Sequence, residues 1–220
     1  MYKILVLAGF CSVSSAHAQS IETGGGLNRN KFYTWKQDEG HSATEYHAGN
    51  GFSFFLSVED TILRNVFVKF SLVLDKYYGA LSTTAGGQAG SSETYADVSK
   101  TTLGLAFYPF NYKFLKSAFI NVGLSYSLLL NQEMEGYHSW WYLGTSSSGY
   151  DSLDSISDKY KNKSVFSAIA RIAYKIPVTD SWQIVPQYTM TFGFSKEFIN
   201  LEADTKAFRH TFALGISRSL

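Results

Sequence analysis

Cysteine, proline, methionine and charged residues are all scarce in the chain. Among its 220 residues there is a single cysteine, Cys11, with three prolines and three methionines. One cysteine cannot form a disulfide within the chain or a zinc site built from several thiolates. Charged residues make up only 17%, against about a quarter in typical soluble domains. The net charge is +1, so no nucleic-acid partner is expected, since such partners require a basic surface.

Long apolar runs are also scarce. Beyond the first residues no stretch of 18 apolar residues occurs, so no transmembrane helix is predicted. At the start, Lys3 precedes the apolar run 4–11, and Ala16-His17-Ala18 has the small-x-small pattern that signal peptidase cleaves. We therefore expect residues 1–18 to be a signal peptide and residues 19–220 to form one domain. Cleavage would leave the mature chain without cysteine.

Aromatic residues are abundant, at 16%, and they take part in a strong alternation of apolar and polar positions. The clearest case runs from Ala118 to Asn131, where the even positions are apolar and the odd positions are mostly polar or small. A period of two indicates a β-strand with two different faces. The apolar face is Ala118, Ile120, Val122, Leu124, Tyr126, Leu128 and Leu130.

Eight segments of this kind are predicted, each long enough to cross a bilayer as a tilted strand of about 9–11 residues. Their approximate bounds are 20–30, 47–58, 66–78, 94–108, 118–131, 164–177, 182–195 and 205–219. Short turns are expected near Glu59–Asn65, Pro109–Ser117 and Val178–Ser181, and long polar loops over Lys31–Tyr46, Gly79–Glu93, Gln132–Lys163 and Lys196–Asp204. Long loops at one end and short turns at the other are typical of outer-membrane barrels.

The composition of the two faces predicts which one is outside. The apolar faces carry large residues, while their partners are rich in Gly, Ser, Thr, Asn and Gln instead of the Lys and Glu of a soluble surface. Aromatic residues recur near the predicted strand ends, as in a membrane-interface girdle; they are Tyr108, Tyr126, Trp182, Phe194 and Phe208. The predicted fold is an all-β, eight-stranded antiparallel up-and-down transmembrane β-barrel.

One proline lies inside a predicted strand. Pro186 belongs to the segment 182–195, and proline has no N–H to donate to a neighbouring strand. A bulge or an unpaired carbonyl group is predicted beside it.

Three sequence motifs resemble the PorT-like outer-membrane β-barrel family over essentially the whole mature chain. They are Thr23-Gly24-Gly25-Gly26-Leu27-Asn28, Phe119-Ile120-Asn121-Val122-Gly123-Leu124 and Phe212-Ala213-Leu214-Gly215-Ile216-Ser217. The resemblance implies a small barrel in the outer membrane of a Gram-negative bacterium. Its expected partners are outer-membrane lipid and the barrel-assembly machinery, with no cofactor.

Two groups of residues are candidates for function. Alternation places one polar set in the lumen, where it would form a structural plug or, alternatively, a proton or ion path; the set is Glu22, Lys69, Asp75, Arg171, Lys175, Gln187 and Arg209. The second set, Trp140, Trp141 and Tyr142, lies in the longest predicted loop. These aromatics would either bind a surface ligand or partner or pack over the barrel mouth.

No catalytic residue or metal site is predicted. His41, His47 and His138 lack metal-ligand spacing, and His210 is adjacent to Thr211, which must point to the opposite face of the same strand. The expected function is that of a non-enzymatic structural, adhesive or accessory barrel acting through its surface loops. The alternatives are a barrel enzyme that cleaves or transfers lipid acyl chains, and a soluble ligand-binding barrel of the lipocalin type.

Overall fold

The computed structural model describes residues 19–34, 42–63, 66–87, 90–143, 147–152, 157–199 and 204–220. The predicted signal peptide and His41 lie outside these ranges. Almost all described residues are in strands, which are β1 (Ser20–Thr34), β2 (Ser42–Leu63), β3 (Val66–Gly87), β4 (Gly90–Lys113), β5 (Ala118–Tyr142), β6 (Ser147–Ser152), β7 (Ser164–Tyr174), β8 (Ile176–Pro177), β9 (Trp182–Gly193) and β10 (Thr205–Ser219). Within the described ranges, one 3-10 turn covers Ser157–Tyr160. No helix among these residues has the length and apolar character to cross a bilayer.

Eight of the strands close into an antiparallel ring. Pairing follows the order β10-β1-β2-β3-β4-β5-β7-β9, and β9 pairs back to β10. The closing pair, β1 with β10, runs from Ser20 opposite Ser219 to Thr34 opposite Thr205. Ring neighbours are also neighbours along the chain, apart from the accessory strands β6, beside β5, and β8, beside β9. The prediction of an eight-stranded up-and-down barrel is therefore confirmed.

The exterior of the ring is apolar on every strand. Leu124 on β5 is 46% exposed, and Ser125 beside it is 8% exposed. The same contrast holds around the barrel, where the outward side chains include Leu27, Phe54, Leu56, Leu74, Leu105, Phe107, Val122, Leu124, Ile172, Ile184, Phe212, Leu214 and Ile216. A soluble barrel buries its apolar face inside, whereas a transmembrane barrel turns that face to lipid. The closed ring and its apolar exterior define a transmembrane β-barrel.

The interior is lined by polar and small side chains. Buried inward residues include Asn28, Ser53, Ser57, Ser71, Thr102, Asn121, Ser125, Ser127 and Ser167. One aromatic residue was predicted on the wrong side: Tyr108 is only 3% exposed and packs inside beside Ala106 and Ile169. It shares the even-numbered face of β4 with Ala106 and Gly104, and this face points into the lumen.

Several strands continue far beyond what a membrane requires. β4 has 24 residues and β5 has 25, against about 9–11 for a crossing. The predicted loop Gly79–Glu93 is wrong, because most of it belongs to the paired upper halves of β3 and β4. The predicted loop Gln132–Lys163 is also partly strand, since β5 runs to Tyr142 and β6 pairs with it. The upper halves of β2–β5, together with β6, form a sheet at the end opposite the short turns. We call it the extracellular sheet, after the side of the membrane that the pattern of short turns and long connections predicts for it.

We call the part of the ring that carries the apolar exterior the membrane-level barrel. Two register shifts separate it from the extracellular sheet. In β2 the pairing with β3 shifts between Ala48 and Phe52, and in β5 the pairing with β4 shifts where Thr101 and Thr102 face Asn131 and Leu129. An extra residue reverses which side of a strand faces inward. In β5, Leu124 faces lipid, whereas Met134, also even-numbered, is buried above the shift.

Pro186 interrupts one of its two ladders. On the β10 side the pairing is continuous through Pro186 opposite Leu214. On the other side β7 pairing ends at Ala173 opposite Gln187 and resumes in β8 with Ile176 opposite Ile184. The register is the same on both sides of this gap, so the ladder opens at Pro186 without a bulge.

We expect Leu124→Arg to lower the free energy of unfolding by about 2–4 kcal/mol, because it places a charge near the middle of the lipid-facing surface. Leu115→Arg is the matched control, since Leu115 is equally apolar but lies in the turn between β4 and β5, where the cost should be about 0–1 kcal/mol. Urea unfolding in lipid vesicles measures both. Equal losses for the two variants would contradict the orientation of β5.

Candidate functional site

A network of charges fills the lower half of the lumen around Glu22 on β1. Its carboxylate accepts hydrogen bonds from Lys69 Nζ at 2.6 Å and from Arg171 Nη2 at 2.7 Å. Arg171 also donates to Asn121 Oδ1 at 2.7 Å and to the Gln187 side chain. Glu22, Lys69 and Arg171 are each at most 3% exposed. Buried charges need such pairing, because an isolated ion in a dry interior is costly.

Two further ion pairs lie above and below this network. At the short-turn end, Lys175 Nζ is 2.9 Å from Glu59 Oε1, and both side chains are partly exposed. Higher in the lumen, Arg209 Nη1 is 2.9 Å from Asp75 Oδ2, and Ser53 donates to the same carboxylate. All seven residues of the predicted lumen set therefore lie inside the barrel, and each is paired.

The lumen between these pairs keeps only a small cavity. Its volume is about 50 Å³, and small residues form much of its wall, including Ser53, Ser57, Ser71, Gly104, Ala106, Ser125 and Ser127. Ligand pockets usually have about 300–1,000 Å³, so this space suits a few water molecules but no organic ligand.

A second buried pair closes the barrel near its outer mouth. Glu197 belongs to the connection between β9 and β10 and is 0% exposed. Its Oε2 accepts hydrogen bonds from Lys100 Nζ at 2.9 Å and from the Tyr77 hydroxyl at 3.0 Å. Lys100 Nζ also donates to the Glu197 carbonyl oxygen at 2.5 Å. The connection is thereby tied to β3 and β4 on the far side of the ring.

An apolar cluster surrounds this pair, and we call it the apolar cap. Its buried members are Phe32, Tyr77, Leu81, Ala96, Val98, Met134, Phe198 and Ala207. The Phe198 ring meets Phe32 edge to face at 5.2 Å, and Lys100 Nζ lies 4.1 Å from the centre of the same ring. Tyr46 and Tyr160 pack against the cluster from its margin. The apolar cap therefore places packed apolar side chains across this part of the lumen.

Glu197 is held in its ionised form. Burial acts to raise its pKa, but the positive charges of Lys100 and Arg209 and the hydrogen bonds from Lys100 and Tyr77 outweigh it, so the pKa lies below the ordinary value. A lowered carboxylate pKa contributes stability at pH values above the unfolded pKa. That contribution is lost only as the pH falls through the lowered value.

The outer face of the extracellular sheet carries a ladder of tyrosines. Tyr137 on β5 stacks between Tyr95 on β4, at 6.3 Å, and Tyr150 on β6, at 5.7 Å. Tyr95 donates to Asp97 at 3.0 Å and Tyr137 donates to Glu93 at 2.9 Å. We call these five residues the tyrosine ladder. We call the apolar exterior of the barrel the apolar belt. The rings and carboxylates of the tyrosine ladder lie on a surface that extends beyond this belt.

The predicted binding aromatics do not form one surface. Trp140, Trp141 and Tyr142 are consecutive residues at the end of β5, so their side chains alternate between the two faces. Trp140 is partly buried and stacks on His138 at 5.4 Å, whereas Trp141 and Tyr142 are 45% and 50% exposed. Their assignment to a loop is wrong, because all three residues belong to β5, and their role in binding stays a prediction.

The histidines lie apart from one another. His138 exchanges a hydrogen bond with the Thr94 hydroxyl at 2.7 Å, and His210 bonds the Tyr188 hydroxyl on the outward face. Ser217 is 1% exposed inside the lumen, on the opposite side from His210. Among the residues that the structure describes, no group of three or more His, Cys, Asp or Glu side chains is arranged to hold a metal ion.

Some members of the site had a sequence signal and others had none. Lys100 shares the inward even-numbered face of β4 with Thr102 and Gly104. The alternation along this strand could therefore have predicted that Lys100 faces the lumen. Glu197 lies in an irregular segment, where no period predicts a direction. The tyrosine ladder depends on the pairing of three strands, which a single segment does not reveal.

No protein-family model matches the chain, and no curated protein is significantly similar to it in sequence. The resemblance to PorT-like barrels therefore stays a prediction.

Solved structures of outer-membrane proteins align with most of this chain at low sequence identity. The Neisserial surface protein A is 9% identical, with 91% of this chain and 97% of that chain covered and a TM-score of 0.40. OprG from Pseudomonas aeruginosa is 11% identical, with 93% and 98% covered and a TM-score of 0.40. Ail, the attachment invasion locus protein of Yersinia pestis, is 12% identical, with 91% and 99% covered and a TM-score of 0.34. The assignment of the barrel fold depends on the strand pairing and not on these likenesses.

We expect Glu197→Gln to lower the free energy of unfolding by about 3–5 kcal/mol, because it leaves the buried Lys100 ammonium without its counter-charge. The double variant Lys100→Met/Glu197→Gln removes both charges and should recover part of this loss. Urea unfolding of the vesicle-inserted protein measures the two. A double variant that is less stable than Glu197→Gln would contradict the pairing.

Proposed function

We propose that this chain is a non-enzymatic barrel of the outer membrane of a Gram-negative bacterium. It acts as a structural, adhesive or accessory component through the sheet that it displays outside the cell. The membrane-level barrel is the anchor in this proposal, and the extracellular sheet is the part that meets a partner.

One observation supports this division most directly. The strands β4 and β5 are more than twice as long as a membrane crossing requires. Their upper halves are paired with each other as strands and do not form loops. A sheet that orders so many residues outside lipid presents a fixed surface. The tyrosine ladder on that surface combines aromatic rings with carboxylates, and Tyr is among the residues most enriched in binding hot spots.

The side chains that fill the lumen also support the proposal that the barrel is an anchor. Ion pairs and the apolar cap occupy the lumen, and the remaining cavity of about 50 Å³ is too small for an organic ligand. These features favour an anchoring role for the barrel over a role in transport or in lipocalin-like ligand binding.

The triple variant Tyr95→Ser/Tyr137→Ser/Tyr150→Ser tests the function. In native cells it should reach the outer membrane with the normal heat-dependent electrophoretic shift of a folded barrel, yet lose most of the surface attachment that wild-type cells show over a deletion strain. Tyr112→Ser is the control, because Tyr112 is 68% exposed at the other end of β4.

The enzymatic alternative predicts a different result. Deletion of the gene would then change the acyl composition of the outer-leaflet lipid, and the triple variant would restore that composition as well as wild type does. Such a result would contradict the proposed function.

Cysteine labelling tests which end of the barrel faces outward. Gly87→Cys lies at the tip of the β3–β4 hairpin, where an added Cβ has no neighbour within 4 Å, and Asp180→Cys lies in the short turn before β9. A membrane-impermeant maleimide on intact cells should label the first variant only, and should label both after the outer membrane is opened. Labelling of Asp180→Cys on intact cells would contradict the topology.

A further inference from the structure

Cations project outward from two strands at the upper edge of the apolar belt. Arg29 and Lys31 on β1 alternate with Asn28, Asn30 and Phe32, which are at most 2% exposed inside the barrel. Arg29 and Lys31 are exposed, so they face away from the lumen. On β3, Lys76 lies between the inward residues Asp75 and Tyr77 and therefore also faces outward. We call Arg29, Lys31 and Lys76 the outward cations.

Register places the outward cations where the lipid-facing surface ends. Leu27, two residues below Arg29, is 74% exposed and pairs with Phe212 on β10 and Phe52 on β2. Arg29 itself pairs with His210 and Asn50. The outward side chains thus change from fully apolar to polar within a single step along three adjacent strands. Charges on the outer face of a barrel are tolerated near the interface but costly at the midplane.

None of the outward cations forms a salt bridge within the described part of the chain. Lys76 instead contacts the ring of Tyr78, with its Nζ 5.4 Å from the ring centre. Exposed carboxylates lie nearby, with Glu45 on β2 and Asp97, Glu133 and Glu135 on β4 and β5, and Glu133 is close enough to interact electrostatically with Lys76.

We propose that the outward cations bind the phosphate groups of a phosphorylated glycolipid in the outer leaflet. Guanidinium groups bind phosphate through two parallel hydrogen bonds, and ammonium groups bind it as point charges. The amide of Asn50, beside Arg29, adds a neutral donor. Leu27, Phe52 and Phe212 lie one outward position below Arg29, Asn50 and His210, with Phe52 opposite Lys76, and would receive the acyl chains. A basic rim above an apolar face matches a molecule with an anionic head and hydrocarbon tails.

This inference rests on the proposed location in the outer membrane, and the experiment separates the two. Full-length wild type, Arg29→Gln/Lys31→Gln/Lys76→Gln and the control Lys113→Gln/Lys116→Gln are folded into phosphatidylcholine vesicles, and insertion is scored by strand circular dichroism and heat-dependent mobility. Lys113 and Lys116 are exposed at the opposite end of the barrel, so the control also removes surface charge. The detergent-extracted proteins are then titrated with bis-phosphorylated lipid A, dephosphorylated lipid A or phosphatidylglycerol, and bound lipid is counted by native mass spectrometry.

Wild type and the Lys113/Lys116 control should retain bis-phosphorylated lipid A equally. The outward-cation variant should bind it about tenfold more weakly, as expected for the loss of charge-assisted contacts. Dephosphorylated lipid A should bind wild type as weakly as it binds that variant. Equal binding by wild type and the outward-cation variant, or equal retention of phosphatidylglycerol and bis-phosphorylated lipid A by wild type, would overturn this inference and leave the proposed function standing. Failure of wild type to insert into vesicles would contradict the proposed location and the inference together.

Discussion

The pairing of β1 with β10 is the constraint on which the rest of the structure depends. In hydrocarbon every backbone N–H and C=O needs a partner within the protein, and only a closed sheet provides one for each strand. The fifteen-residue register from Ser20 opposite Ser219 to Thr34 opposite Thr205 closes the ring. Closure then permits the apolar exterior, because no strand edge of the ring is left in lipid.

Closure of the ring also explains why ion pairs are buried in the lumen. An eight-stranded ring encloses a space that side chains must fill, and the inward face of each strand is polar because the outward face takes the apolar residues. Glu22 with Lys69 and Arg171, and Glu197 with Lys100, fill that space in neutralised form. Removing one partner of a buried ion pair is more destabilising than replacing both partners. The stability of the barrel therefore depends on these charged residues being present together. The function then falls to the surfaces outside the ring.

Alternation predicted the membrane-level barrel well, because one face of each strand meets lipid and the other meets the lumen. It failed above the membrane for a physical reason: both faces of much of the extracellular sheet meet water, so Gly79–Glu93 carries no period and resembles a loop. The register shifts at Ala48–Phe52 and near Leu129 reverse the inward side. Gly49 and Gly51 accompany the first shift, as glycine often does at a bulge, but no such residue marks the second. Glu197 was beyond prediction because its direction depends on Lys100 and Tyr77, which are distant in sequence.

A scan of single cysteines along residues 118–128 of β5 would show which face of the strand meets lipid. Each position is spin-labelled in lipid vesicles, and its accessibility to oxygen, which concentrates in lipid, is compared with its accessibility to a water-soluble nickel chelate. If the apolar face meets lipid, oxygen accessibility should alternate with a period of two and peak at the even positions Ile120, Val122, Leu124 and Tyr126. Peaks at the odd positions, or no alternation at all, would contradict an apolar face turned toward lipid.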